Sequence, residues 1–302
     1  MKNFKNKVAV ITGGASGFGR EFANIGAKLG MKIVLADVQK DALNQANTEL
    51  EEQGAQVLAV HCDVRKADEV QALADATIKR YGEVHLLFNN AGVGCGGLVW
   101  EHSLEDWEWV LGVNLWGVVH GIRTFMPLML ECSKKSNDYE GHIVNTASIA
   151  GLLNGPTLGA YNVSKHAIVS LSESLYQDLK LIDAPISTSV LCPFFSPTGI
   201  SQSHRNRPNE LMHNMELTVS QRMSQAMIDK AVRDGTVTAK QVAELTFDAI
   251  CEDRFYIFSH KNMLDAVKTR MEDIVEQRNP SVYEPESRIR KLLQEKLKLH
   301  PK

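Results

Sequence analysis

KVAVITGGASGFGREFANIGAKLG, Lys7 to Gly30, is the stretch that decides the fold. Val8 to Ile11 is a short β-branched apolar run that stops at glycines, the pattern of a buried strand. From Gly17 the residues read as a helix ended by Gly30. Between them lies Gly13-Gly14-Ala15-Ser16-Gly17-Phe18-Gly19. Glycines in such a turn let the backbone bend sharply and approach a pyrophosphate, whose charge a helix N-terminus favours. The spacing Gly13-x-x-x-Gly17-x-Gly19 is not the standard G-x-G-x-x-G, and glycines in turns are usually only turn-formers. Its place after a strand and before a helix favours a nucleotide site.

Working outward, the alternation continues. MKIVLADV reads as a strand, KDALNQANTELEEQG as a helix, QVLAVHCDV as a strand, ADEVQALADATIKRYG as a helix and VHLLFNNAG as a strand. A helical stretch over 105–131 contains Pro127, which is expected to kink it or end its regular part. HIVNTAS, a helix over 160–182, ISTSVLCP, a helix over 238–251 and a last strand FYIF (255–258) complete the series. Such alternation with short connections predicts an α/β doubly wound parallel sheet with helices on both faces. Residues 1–260 are expected to form one domain, with 199–236 as a substrate lid and 261–302 as a C-terminal helical extension. Met212, Met215, Met223 and Met227 fit a core or an adaptable lid equally well. Ile289, Leu292, Leu293 and Leu297 form an apolar stripe suited to docking on the parent domain or a sister subunit.

Composition narrows the function. The 302 residues are 44% hydrophobic and 23% charged, ordinary for a soluble globular chain with a large core. A net charge of -3 argues against nucleic acid or an anionic membrane as partner. Apolar runs are far short of a spanning helix and no signal peptide precedes Val8, so a cytoplasmic location is expected. Cys62, Cys95, Cys132, Cys192 and Cys251 are an odd, scattered set, read as reduced thiols and not as a disulfide frame or metal site. Cys95, with no histidine obviously beside it, reads as a packing thiol.

Asp37 closes the second strand, 18 residues after Gly19. A carboxylate there accepts hydrogen bonds from adenosine ribose hydroxyls and repels a 2′-phosphate, which predicts NAD over NADP; a plain helix cap is the competing reading. Asp63 and Val64 stand where short groups meet an adenine edge, or cap the next helix. Further on, Ser148 precedes Tyr161 and Lys165, four residues apart on one helical face. A nearby ammonium favours a phenolate, although such pairs are also common on exposed helices.

Taken together, Thr12-Gly13-x-x-x-Gly17-x-Gly19, Asn89-Asn90-Ala91-Gly92, Asn114, Ser148 and Tyr161-x-x-x-Lys165 resemble the short-chain dehydrogenase/reductase family, over residues 5 to 258. The resemblance implies a Rossmann-like seven-stranded sheet, an NAD cofactor and a homotetramer or homodimer. It implies that Tyr161 is the general acid/base of an alcohol–ketone interconversion and that Ser148 orients the substrate oxygen. Lys165 would bind the nicotinamide ribose and lower the Tyr161 pKa, and Asn114 would bind a relay water. Asn89, Ala91 and Gly92 would steady the fourth strand beside the adenosine. After the sixth strand the family's Pro-Gly is replaced by Pro193-Phe194, followed by Phe195-Ser196-Pro197-Thr198. Pro193, Phe195 and Thr198 still match the family's cofactor contacts, whereas Phe194 faces either the nicotinamide or the core.

The loops after the strands nominate Gly94, Cys95, Gly96, Trp100, Ile149, Leu152, Leu153, Leu158 and Phe194 as pocket residues. They are apolar, which predicts an uncharged and moderately bulky or aromatic alcohol or ketone. A nucleotide-sugar epimerase fits poorly, since the glycine spacing differs and no large C-terminal domain follows. A catalytically silent NAD-binding regulatory or scaffold protein is the main alternative, and it usually lacks the tyrosine or lysine kept here.

Overall fold

A computed structural model of the chain describes all residues except 213–215, 283–286, 288, 289, 292 and 296–302. Seven strands form one parallel sheet: β1 (Val8–Thr12), β2 (Lys32–Asp37), β3 (Val57–His61), β4 (Leu86–Asn89), β5 (Gly141–Thr146), β6 (Ile186–Cys192) and β7 (Tyr256–Phe258). Their spatial order is β3-β2-β1-β4-β5-β6-β7, so the winding reverses between β1 and β4. Ligand crevices open at such a reversal, beyond the carboxyl ends of the strands.

The strands alternate between two apolar faces. Ala9, Ile11, Ile33 and Leu35 pack with helices α1 (Gly17–Lys28), α2 (Lys40–Glu52) and α8 (Ala239–Cys251). Val8, Val10, Val34 and Ala36 pack on the other face with α3 (Ala67–Tyr81), α5 (Gly117–Lys135) and the end of α6 (Gly159–Leu181). A strand apolar on both sides is buried only between two helical layers.

The stretch read as one helix over 105–131 is divided. Helix α4 (Leu104–Leu111) passes into a π-helical turn, Gly112–Trp116, and then into α5. The irregularity therefore falls at Asn114 and not at Pro127, which α5 carries within its length. An inserted π turn widens the helix locally and re-aims the side chains on it.

Close packing holds this helix to the sheet at Gly121, where a Cβ would fall inside the van der Waals shell of Asn89 Oδ1. Asn89 Nδ2 donates to Asn145 Oδ1 at 2.9 Å, and Asn145 Nδ2 to Ser172 Oγ at 3.0 Å, all buried. Gly121→Ala is expected to cost about 1–3 kcal/mol, by over-packing this network. Urea unfolding of the purified variant checks it; a midpoint equal to wild type would mean the helix shifts freely.

After β6 come a 3₁₀ segment (Gly199–Asn206), a short 3₁₀ turn (Asn209–Leu211) and α7 (Val219–Arg233). Helix α9 (Leu264–Val275) begins the C-terminal extension, and Met263, Ala266 and Val267 pack against Ile149, Leu153 and Phe194. Of the tail stripe, Leu293 is buried, while Ile289, Leu292 and Leu297 lie outside the described residues, as does Met215. Among the described residues no helix is long and apolar enough to cross a membrane.

Candidate active site

A cleft of about 860 Å³ opens beyond the carboxyl ends of the strands. One end is built by the glycine loop. Gly13 (φ +62°) and Gly17 (φ +55°) take left-handed conformations that favour glycine. Gly19 lies so close to the Gly13 carbonyl that a side chain would spread the turn. Thr12 Oγ1 accepts from the backbone N–H groups of Asn90 (2.9 Å) and Ala91 (3.1 Å), tying the ends of β1 and β4 together. Asn90 Nδ2 donates to Thr12 O at 3.0 Å. The Ser16 hydroxyl is not used to cap α1, and it lines the cleft with Gly13, Gly17 and Phe18.

Asp37 is not a cap of α2, which starts at Lys40. Its carboxylate accepts from Ala15 N (3.1 Å) and Gln39 N (3.0 Å), so it braces the glycine loop while lining the cleft. Val38 beside it is 39% exposed and carries no charge. Asp63 is clasped by Arg65 at 2.6 Å, and Val64 is buried against Gly117. Asn89 does not line the cleft; it is 2% exposed and its amide holds β4 to β5.

The other end holds the reactive groups. Ser148, Tyr161 and Lys165 line the same cleft. Ser148 starts a 3₁₀ turn (Ile149–Gly151), accepts from Ala150 N at 3.1 Å and donates to Pro193 O at 3.3 Å. Gly151 packs against the Lys165 carbonyl, where a Cβ would approach to 2.6 Å, and this closeness brings Ser148 up to α6. Tyr161 and Lys165 lie on the first turns of α6, the Lys165 ammonium 5.6 Å from the phenol ring centre. Lys165 Nζ donates to Thr146 O at 2.9 Å.

Burial sets the electrostatics here. It pushes the Tyr161 phenol above its ordinary range, with the Ser148 hydroxyl pulling the other way. It pushes the Lys165 ammonium down to about 8. Of these two influences on the phenol, desolvation is the larger.

Asn114 works through its side chain. Its Oδ1 accepts from Val93 N at 2.8 Å, and its Nδ2 donates to Val93 O (3.0 Å) and Ser164 Oγ (2.9 Å). Ser164 Oγ in turn donates to Tyr161 O at 2.7 Å. The π turn is thereby wired to the tyrosine helix. Gly92 sits between Asn114 and Lys165; a Cβ there would lie 3.5 Å from Asn114 Oδ1 and 3.6 Å from Lys165 Nζ.

Among the nominated pocket residues, Gly94, Cys95, Ile149, Leu153, Leu158 and Phe194 line the cleft, together with Pro193, Phe195 and Thr198. Trp100 does not: it is 73% exposed, in the turn before α4. Gly96 packs under Ser224 of α7 and Leu152 packs against the sheet-side cluster with Val169. The Phe194 ring forms cleft wall on one side and meets His260 (5.5 Å) and the α9 contacts on the other. Cys95 does have a histidine near it. Sγ lies 3.6 Å from His102 Nδ1, yet Asp106 is on that same nitrogen and burial pushes the thiol up to about 12, so it remains a thiol.

Helix α7 lies in the segment expected as a lid and brings Met227 to the cleft, with Ser224, Gln225, Ile228 and Ala231, which the sequence did not single out, beside it at helical spacing. That spacing was readable, but which face α7 turns to the cleft was not.

The sequence profile of the family described as short chain dehydrogenase matches residues 7–209. The chain belongs to the short chain dehydrogenase family. A short chain dehydrogenase/reductase from Burkholderia phymatum, solved in complex with NAD, is 52% identical; the match covers 94% of this chain and 99% of that one, with a TM-score of 0.91. A CLA biosynthesis dehydrogenase/reductase of Lactiplantibacillus plantarum is 32% identical over 288 residues, 94% of this chain and 98% of that protein. A 1-deoxy-11-beta-hydroxypentalenate dehydrogenase of Streptomyces exfoliatus is 33% identical over 274 residues, 90% of each.

Proposed function

We propose that this chain is an NAD-dependent oxidoreductase that interconverts a secondary alcohol and its ketone. The observation that carries the reading is the single cleft in which the Gly13–Gly19 loop and Asp37 meet Ser148, Tyr161 and Lys165. The residues fit a dinucleotide: the glycines leave a cradle that side chains would fill, α1 points its N-terminus at it, and Asp37 offers a carboxylate to a ribose. Bound NAD supplies the hydride acceptor, and NADH the donor.

The chain's own groups manage the proton and the oxygen. Ser148 holds the substrate oxygen beside the Tyr161 phenol. Tyr161 gives its proton to that oxygen in reduction and takes it back in oxidation. Lys165 keeps a positive charge beneath the ring and reaches a ribose, while Asn114 positions the helix turn that carries Tyr161. Gly13, Ser16, Gly17, Phe18, Asn90, Ala91, Gly92, Pro193, Phe195 and Thr198 contact the cofactor.

The substrate end is walled by Cys95, Ile149, Leu153, Leu158, Phe194 and Ile228. Charged groups in the cleft lining near these walls are Arg207, neutralised by Asp106, and the exposed Lys230 and Asp234. That lining favours an uncharged, moderately bulky substrate. NAD reduction across alcohols of graded size tests it: kcat/KM is expected to rise from small alcohols to bicyclic or aryl ones. A preference for small or anionic alcohols would refute it. Exposed Leu104, Trp116, Leu181 and Ile182 on or beside α4 to α6 support self-association as a homodimer or homotetramer.

A further inference from the structure

Residues 199–211, which follow β6, do not cover the substrate end alone. Thr198 packs 3.5 Å from the position of a Cβ on Gly17, at the glycine loop. From there the segment runs across the open edge of the sheet. Ser203 Oγ accepts from Gly94 N and donates to Gly94 O, both at 3.0 Å, beside β4. Asn206 Oδ1 accepts from Gln39 Nε2, past the end of β2. Glu210 pairs with Arg65 at 3.1 Å, past the end of β3, where Arg65 also clasps Asp63. Arg207 pairs with Asp106 of α4. In sheet order the contacts run from β6 past β4 to β2 and β3, along the line of Thr198, Gly17, Asp37 and Asp63. The substrate end is instead walled by α7.

We infer that residues 199–211 form a strap over the cofactor, and that Ser203, Asn206 and Glu210 are retention residues whose contacts must open before the dinucleotide leaves. The inference rests on the NAD reading above. It follows from the geometry: a ligand lying along the glycine loop, Asp37 and Asp63 has the strap across its exit, pinned at both margins. Ser203 is buried against Gly94, while the outer pins Asn206 and Glu210 are partly or fully exposed and each weak alone, which suits a strap that opens in every turnover. Arg205 lines the cleft beside Gly199, its guanidinium donating to the carbonyls of Gly199 and Gln202 at 2.8 Å, and adds positive charge near the glycine loop.

Stopped-flow displacement of bound NADH by excess NAD reads the exit rate directly. Glu210→Gln and Asn206→Ala are each expected to speed release about threefold, and together about tenfold. Wild-type release should quicken with salt, which screens the Arg65–Glu210 pair, and this salt dependence should shrink in Glu210→Gln. Substrate KM should stay within about twofold of wild type. Unchanged release and salt dependence would overturn the strap, as would a raised substrate KM with normal release, which would make the segment a substrate lid. Equilibrium titration of wild type with NADH separates the two readings: failure to bind NADH at all refutes the cofactor assignment itself.

Discussion

Tyr161→Phe will lower kcat/KM by about a thousandfold while NADH affinity stays within about twofold of wild type. The phenylalanine keeps the ring over Gly94 and above Lys165, so the cleft retains its shape. What it loses is the only proton-carrying atom of the side chain. The sign of the pH dependence follows from the environment of the phenol. Burial holds its pKa above the ordinary value, so the acid form persists to higher pH. Ketone reduction, which needs the acid, is therefore favoured at neutral pH, and alcohol oxidation, which needs the base, rises as pH increases through the alkaline range. In Tyr161→Phe the residual rate is expected to lose that dependence. Steady-state rates in both directions over a pH series, with fluorescence titration of NADH, measure both effects. Wild-type turnover in the variant would remove Tyr161 from the mechanism.

Asp37→Ser combined with Val38→Arg is expected to shift the NADP:NAD ratio of kcat/KM by about a hundredfold. Two electrostatic terms act together. The substitution removes a carboxylate that would repel a 2′-phosphate, and it places a guanidinium at a cleft-lining position that is 39% exposed in wild type. The variant also loses an acceptor for Ala15 N and Gln39 N, so a fall in melting temperature of a few degrees should accompany the switch. Measuring kcat/KM with each cofactor decides it. An unchanged ratio would place the discrimination elsewhere, the Arg65–Asp63 pair being next in line.

Much of this site is local and therefore legible. Gly13, Gly17 and Gly19 do their work within one turn, and Tyr161 and Lys165 share a face because they are four residues apart. The divided helix at Asn114 was not legible, since nothing in GVNLW differs from an ordinary amphipathic segment; the π turn forms where the side chain finds Val93 and Ser164 across the fold. Trp100 was misplaced for a related reason. It follows β4 closely in sequence, but the chain leaves the cleft after Cys95 and turns outward toward the capping box of Ser103 and Asp106.

What the sequence determined by itself is the alternation of buried strands and amphipathic helices, the glycine turn, the acidic end of β2 and the Tyr161–Lys165 pair. Each depends on neighbours within a few residues, where chain connectivity alone sets geometry. Only the tertiary structure decided that Asp37 braces the glycine loop, that burial raises the Tyr161 phenol against the pull of Ser148, and that 199–211 runs to the ends of β2 and β3. These depend on desolvation and on hydrogen bonds between residues such as Asn206 and Gln39, 167 apart in the chain. No local pattern encodes such a contact; the packed sheet creates it.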